Sequence, residues 1–284
     1  MKTKKQFGQH WLRNEQVLDR IITAAKIAPT DRILEIGPGT GILTRRLVAA
    51  ASAVVAVEID RDLSALLVKK MGHLDNFILL ENDFLNLDVD GNLTAFPKFQ
   101  QANKVVANIP YNITGPILEK LLGNIVHPAE RPFDSIVLLV QKEVGDRLFA
   151  KPSTKAFGAL SIRVQYLAHC ELICPVPARD FSPPPKVDSA VIRLTPRRLE
   201  LTANNPKLLN NLVRLGFSTR RKMLRNNLQS AIDRESLVEL LASLNISDEA
   251  RAEDLSIEQW IKLSNLVGDR KGEPDFPIED NPSQ

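Results

Sequence analysis

Leu34-Glu35-Ile36-Gly37-Pro38-Gly39-Thr40-Gly41 is the stretch whose reading decides the fold. A β-branched run leads into it and a helical pattern leads out of it. Glycines between a strand and a helix let the backbone come close to a ligand at the helix N-terminus, which implies a nucleotide-type ligand. The dinucleotide fingerprint G-x-G-x-x-G would need glycine at position 42, but Ile42 stands there and the third glycine is Gly41. Taken alone, such a cluster is also compatible with a tight turn.

The chain on either side removes that plainer reading. Strand patterns over residues 32–36, 53–59, 77–80, 104–107 and 135–140 are short and nearly continuously apolar, as expected of parallel strands covered on both faces, and helical patterns lie between them. A helix is expected to begin near Gln141. Two more strand patterns, 171–176 and 187–194, are joined by a segment holding Phe181-Ser182-Pro183-Pro184-Pro185, too short for a crossover helix, so this pair is expected to be antiparallel. The fold class predicted is α/β, a Rossmann-like sheet of the S-adenosylmethionine (SAM) dependent methyltransferase kind, with a small all-α domain after it.

Three strand ends converge on one crevice in that fold. Gly37 and Gly39 lie at the first, and Glu58 at the second stands about 20 residues after the first glycine, the spacing used to grip a ribose diol. Asp83, in Asn82-Asp83-Phe84, follows the third and can accept a hydrogen bond from an adenine amine. With Ile42 in place of the third fingerprint glycine, the pattern favours SAM over NAD.

The fourth strand ends in Asn108-Ile109-Pro110-Tyr111, and here residue type carries chemistry. The N6 lone pair of adenine is delocalised into the ring, so this amine is a poor nucleophile. If the Asn108 side-chain oxygen and the Ile109 carbonyl accept its two N–H bonds, the nitrogen is drawn towards a tetrahedral state that can attack. Pro110 stiffens the turn and Tyr111 offers a ring on which a base can stack. No metal is required.

Length and composition bound the rest. With 284 residues, 44% hydrophobic and 25% charged, the chain can bury a full core and divides on its patterning into three parts. These are a catalytic domain over residues 1–196, a helical domain over 197–268 and an acidic, proline-rich tail over 269–284 expected to be disordered. Helical spacing marks residues 206–217, 220–232, 235–244 and 257–268. No apolar run approaches a membrane span and the lysine-rich start lacks an apolar continuation, so a cytoplasmic location is expected. Cys170 and Cys174, the two cysteines, lie in apolar sequence without nearby zinc partners and read as reduced thiols. The net charge of +3 says little, but from Arg179 to Arg225 basic residues far outnumber Asp180, Asp188 and Glu200. That is a footprint for phosphate, or else a solvated helix face. No exposed apolar helix calls for a second copy, so a monomer is expected.

Taken together, the motifs resemble the small-subunit ribosomal RNA adenine dimethyltransferases of the KsgA/RsmA type. The likeness runs from about Lys5 to Ile246. It is carried by Phe7-Gly8-Gln9-His10-Trp11-Leu12, Glu35-Ile36-Gly37-Pro38-Gly39, Asn108-Ile109-Pro110-Tyr111, Gln141-Lys142-Glu143-Val144, the run from Phe181 to Ser189 and the run from Arg220 to Leu228. The resemblance implies that His10 and Leu12 border the cofactor, with Gly37, Glu58, Asp83 and Asn108 completing its site. His10 stands where that family often has Asn, and Trp11 where Phe is more usual, as an apolar wall. Phe181 is implied as a second aromatic opposite Tyr111. The implied substrate is a pair of adjacent adenines in a hairpin near the 3′ end of small-subunit rRNA, within a ribosomal small-subunit precursor particle, each receiving two methyl groups. Arg220, Arg221, Lys222 and Arg225 are implied to hold RNA phosphates. The rivals are a large-subunit rRNA methyltransferase of the macrolide-resistance type, a DNA N6-adenine methyltransferase, and an assembly factor with dispensable chemistry.

Overall fold

The computed structural model describes residues 9–271. The Phe7-Gly8 start of the first motif, and residues 272–284 of the tail, lie outside the described residues. The chain forms two compact units, one of residues up to Ala150 together with Arg163–Arg198, the other of Lys151–Ile162 together with the chain from Leu199 onward.

The first unit is built on a seven-stranded sheet. Its elements in chain order are β1 (Trp11–Leu12), α1 (Glu15–Ala25), β2 (Arg32–Ile36), α2 (Thr44–Ala50), β3 (Ala53–Glu58), α3 (Arg61–Met71), β4 (Phe77–Glu81), β5 (Lys104–Asn108), α4 (Thr114–Leu122), β6 (Ser135–Gln141), α5 (Lys142–Leu148), α6 (Ala159–Leu167), β7 (Ala168–Val176), β8 (Phe181–Ser182) and β9 (Ser189–Pro196). The division between the units falls within α6. The strand order is β4-β3-β2-β5-β6-β9-β7. Strands β2 to β6 run parallel, and β9 is antiparallel to both β6 and β7. The parallel block and the antiparallel pair are thus as the sequence predicts.

Burial explains why the strands read as unbroken apolar runs. Val54 and Ala56 of β3 pack in one cluster with the apolar stripes of α1, α2 and α3, including Leu18, Ile21, Leu47 and Leu67. Their neighbours Val55 and Val57 are equally buried, so both sheet faces are covered and no polar alternation survives. Helix α1 opens on Asn14, whose side chain accepts from the amides of Gln16 and Val17. Because β3 lies on one side of β2 and β5 on the other, the strand order reverses at β2. The carboxyl ends of β2 and β5 therefore flank the crevice where open α/β sheets take ligands.

The second unit is helical, with α7 (Pro206–Gly216), α8 (Leu224–Asn227), α9 (Arg234–Ser243) and α10 (Ile257–Lys271). Two sequence expectations are corrected by it. Residues 220–232 do not form one helix, since only Leu224–Asn227 is helical. The Asn227 amide donates to the carbonyls of Gly216 (2.5 Å) and Thr219 (3.0 Å), tying down the turn before α8 in place of a continued helix. The apolar spacing of Leu224, Leu228 and Ile232 is real, but it serves burial across turns. Residues 269–271, assigned to the tail, still belong to α10. Trp260 is fully buried beside Phe217, and a Cβ on Gly216 would lie 2.5 Å from its ring, so that position admits only glycine without repacking.

Both cysteines are free thiols, and burial pushes Cys170 up to about 12. Among the described residues no helix is long and apolar enough to cross a membrane, and no cluster of His, Cys, Asp and Glu could hold a metal ion.

Candidate active site

The crevice at the carboxyl edge of the sheet is lined by Trp11, Leu12, Glu35, Gly37, Gly39 and Asn108, among others. The glycine loop turns through left-handed backbone, most tightly at Gly41 (φ 82°), where a Cβ would meet Leu67 at 2.7 Å and Met71 at 2.8 Å. Helix α2 starts at Thr44, and both the glycine loop and Leu43, the residue that caps α2, border the crevice. A Cβ on Gly37 would stand 3.8 Å from Pro110 Cδ, which puts the loop against the Asn108-Ile109-Pro110-Tyr111 segment.

Glu58 is buried and already engaged. Its two oxygens accept from the Gly39 amide (3.1 Å) and the Asp60 amide (2.9 Å), stitching the end of β3 to the glycine loop. Burial raises its pKa and those two backbone bonds oppose the rise. Each oxygen keeps a further lone-pair direction for a ribose hydroxyl. Asp60 caps α3 and accepts from Gln9 Nε2 at 2.9 Å, which makes it a structural carboxylate. Asp83 follows β4, half-buried, and accepts from the Leu85 amide and the Asn86 side chain. It does not line the same recess as Gly37 and Asn108.

Asn108 ends β5, and its Nδ2 donates to the His10 carbonyl at 3.2 Å. A carbonyl can only accept, so this bond fixes the amide and leaves Oδ1 as a free-facing acceptor. Ile109 is buried. The Tyr111 hydroxyl meets Ser189 Oγ at 2.5 Å, and its ring stacks with the His10 imidazole at 6.0 Å between centroids and 18° between planes. Burial raises the Tyr111 pKa, with the Ser189 bond opposing. The His10 ring is itself held by Pro183 O at 2.8 Å from Nδ1. Phe181 is only 4% exposed and lies in the apolar cluster against which Tyr111 packs. It pairs with Leu12 across the short antiparallel ribbon of β1 and β8, which brings the Gln9 to Leu12 motif and the Phe181 motif to one rim.

Two residues of the site were not assigned a role from sequence, and a third was read only as an apolar wall. Ser189 anchors Tyr111, and it closes the quoted Phe181 run. Glu35 is 1% exposed, and its Oε2 is buried without a hydrogen-bond partner. Burial raises the Glu35 pKa to about 8; the Thr44 hydroxyl opposes this, though it falls short of a formed hydrogen bond, and the Glu58 charge adds to it. A charged residue inside an apolar strand just before the glycines was the available signal. Trp11, the expected wall, also presents a buried indole nitrogen without a partner.

The basic cluster in the second unit divides in two. Arg220 donates to the carbonyls of Lys155 (2.7 Å) and Phe157 (3.3 Å) and pairs with Glu253, which ties segment Lys151–Ile162 to that unit. Arg225 pairs with Asp248 and is mostly covered. Arg220, despite these bonds, is exposed like Arg221 and Lys222.

Sheet order, the glycine loop and the Asn108-Ile109-Pro110-Tyr111 segment at its rim define a class, the Rossmann-like methyltransferases. Residues 1–269 match the model of the family described as ribosomal RNA adenine dimethylase, and the chain belongs to that family. It is 63% identical to the ribosomal RNA small subunit methyltransferase A of Nostoc sp. over 94% of this chain and 99% of the relative. With the protein of the same description from Synechococcus elongatus the identity is 55%, over 95% and 96%. Among solved structures, a dimethyladenosine transferase from Plasmodium falciparum is similar with TM-score 0.77 and 28% identity, over 93% of this chain and 98% of that one. The 23S rRNA methyltransferase ErmE is similar with TM-score 0.69 and 26% identity, over 90% and 99%.

Proposed function

We propose that this chain transfers methyl groups from SAM to the N6 amines of two adjacent adenines near the 3′ end of small-subunit rRNA, two to each, as a step in small-subunit biogenesis. The observation that carries the chemistry is the fixed Asn108 amide, whose Oδ1 is left as an acceptor beside the glycine loop. The choice of small over large subunit rests on the level of identity to the small-subunit relatives, since the fold is shared with ErmE.

The residues present fit SAM. A buried acceptor without a partner, Glu35 Oε2, suits the methionyl ammonium, and Glu58 suits a ribose diol. Exposed Ile59, next in sequence to Glu58, offers an apolar surface for the adenine, with Asp83 at the following strand end for its amine. His10 and Leu12 border the cofactor, Leu12 from the lining of the recess that holds Gly37 and Asn108. SAM brings a methyl group already activated by its sulfonium, so positioning is the main remaining demand. Asn108 Oδ1 and the Ile109 carbonyl accept the two N–H bonds of the target amine and localise its lone pair. Pro110 stiffens that turn. Tyr111, held from its far end by Ser189, stacks the base, with Phe181 as the second wall. The target loop is partly single-stranded, where presenting a base costs least.

RNA binding is assigned to the helical unit through Arg221 and Lys222, while Arg220 and Arg225 shape the surface that carries them. Replacing Arg221 and Lys222 together by alanine is expected to weaken rRNA binding and to make log affinity less steeply dependent on log salt, by about one in slope for each phosphate left without its cation. An unaltered slope moves the RNA site elsewhere. The whole reading is tested by incubating purified small and large ribosomal particles with labelled SAM and identifying the modified rRNA by mass spectrometry. Dimethyladenosine at adjacent sites near the small-subunit 3′ end is expected. Label confined to the large subunit overturns it.

A further inference from the structure

Trp11 carries an indole N–H that is buried and has no hydrogen-bond partner, and the residue lines the same recess as Glu35, Gly37 and Asn108. The indole edge lies over the glycine loop: a Cβ built on Gly39 would be 3.4 Å from Cδ1 and 3.5 Å from Nε1. A buried N–H left unbonded costs free energy, and indole can only donate, so the group calls for an acceptor. The recess also holds the opposite orphan, the acceptor Glu35 Oε2. A zwitterionic amino-acid moiety satisfies both, its ammonium on the carboxyl and its carboxylate on the indole. An apolar wall satisfies neither.

We propose that Trp11 is a cofactor-binding residue whose indole N–H donates to the carboxylate of the methionyl moiety of SAM. This rests on the SAM reading above and adds to it a specific donor that a phenylalanine at this position could not supply. The bond is made to a part of the ligand remote from the transferred methyl, so it strengthens binding without entering the chemistry.

The test compares two ligands by calorimetry, S-adenosylhomocysteine and 5′-methylthioadenosine, which shares the nucleoside and thioether but has no amino-acid carboxylate. Trp11→Phe keeps the ring and removes the donor. It is expected to weaken S-adenosylhomocysteine about tenfold, the effect of a hydrogen bond to a charged group, and to leave methylthioadenosine unchanged. Equal losses for the two ligands, or none, overturn the proposal. An independent measurement needs no variant: the chain has two tryptophans, and Trp260 is fully buried in the helical unit. In the wild-type protein the Trp11 indole N–H resonance is expected to move downfield with S-adenosylhomocysteine and not with methylthioadenosine; the same shift with both overturns it. Binding of neither ligand by the wild type removes the SAM reading itself, and with it this one.

Discussion

Asn108→Ala is expected to lower the rate of methyl transfer at saturating SAM by about 10²–10³-fold, the effect of deleting one preorganised hydrogen-bonding group aimed at charge developing in a transition state. The amide's orientation is the reason. Its Nδ2 is committed to the His10 carbonyl, so Oδ1 is held in place before the base arrives and need not reorganise as the amine begins to carry positive charge. Alanine removes that acceptor and leaves the Ile109 carbonyl alone to hold both protons. Particle binding, proposed above to run through the basic helical unit, is expected to persist. Single-turnover methylation alongside a particle-binding assay separates the two effects. Undiminished turnover in this variant refutes the acceptor role, whatever happens to binding.

The parallel sheet was legible because burial on both faces leaves a mark in every residue. The run from Ala53 to Glu58 has no alternation to misread, and the proline-rich link after Val176 excluded a crossover. What escaped was set by contacts distant in sequence. Strands β1 and β8 are two residues each and exist only because Leu12 and Phe181 meet, so no period could announce them. The segment after Arg220 has a helical apolar spacing, but Asn227 bonds back to Gly216 and breaks it. Charge counting marked the basic stretch correctly as basic, yet could not tell Arg225, mostly covered and paired with Asp248, from the exposed Arg220, Arg221 and Lys222. The site followed the same rule. Glycine pattern and Asn-x-Pro-Tyr were readable as types, whereas the donor on Trp11 and the bond from Tyr111 to Ser189 depend on where side chains finish.

Glu35→Gln is expected to have a second large effect, and its sign follows from the proton on Glu35. Buried among apolar strands, the folded-state carboxyl is raised from about 4.5 to about 8, so between those values the folded protein holds a proton that the unfolded chain gives up. Stability of the ligand-free protein therefore falls as pH rises through this window, and glutamine, which cannot ionise, is expected to flatten that decline in thermal melts. Cofactor binding has the opposite slope. An ammonium beside Glu35 favours the carboxylate, so binding expels the proton, and affinity for S-adenosylhomocysteine is expected to climb from about pH 6 to about pH 8 in wild type but not in Glu35→Gln. The difference between the two proteins cancels titration of the ligand's own amine. At about pH 8 the variant is expected to bind at least about thirtyfold more weakly, the lower end for removing one member of a buried charge pair. Calorimetry in buffers of different ionisation enthalpy reads the released proton directly, and parallel pH profiles in the two proteins would show that the methionyl ammonium is held elsewhere.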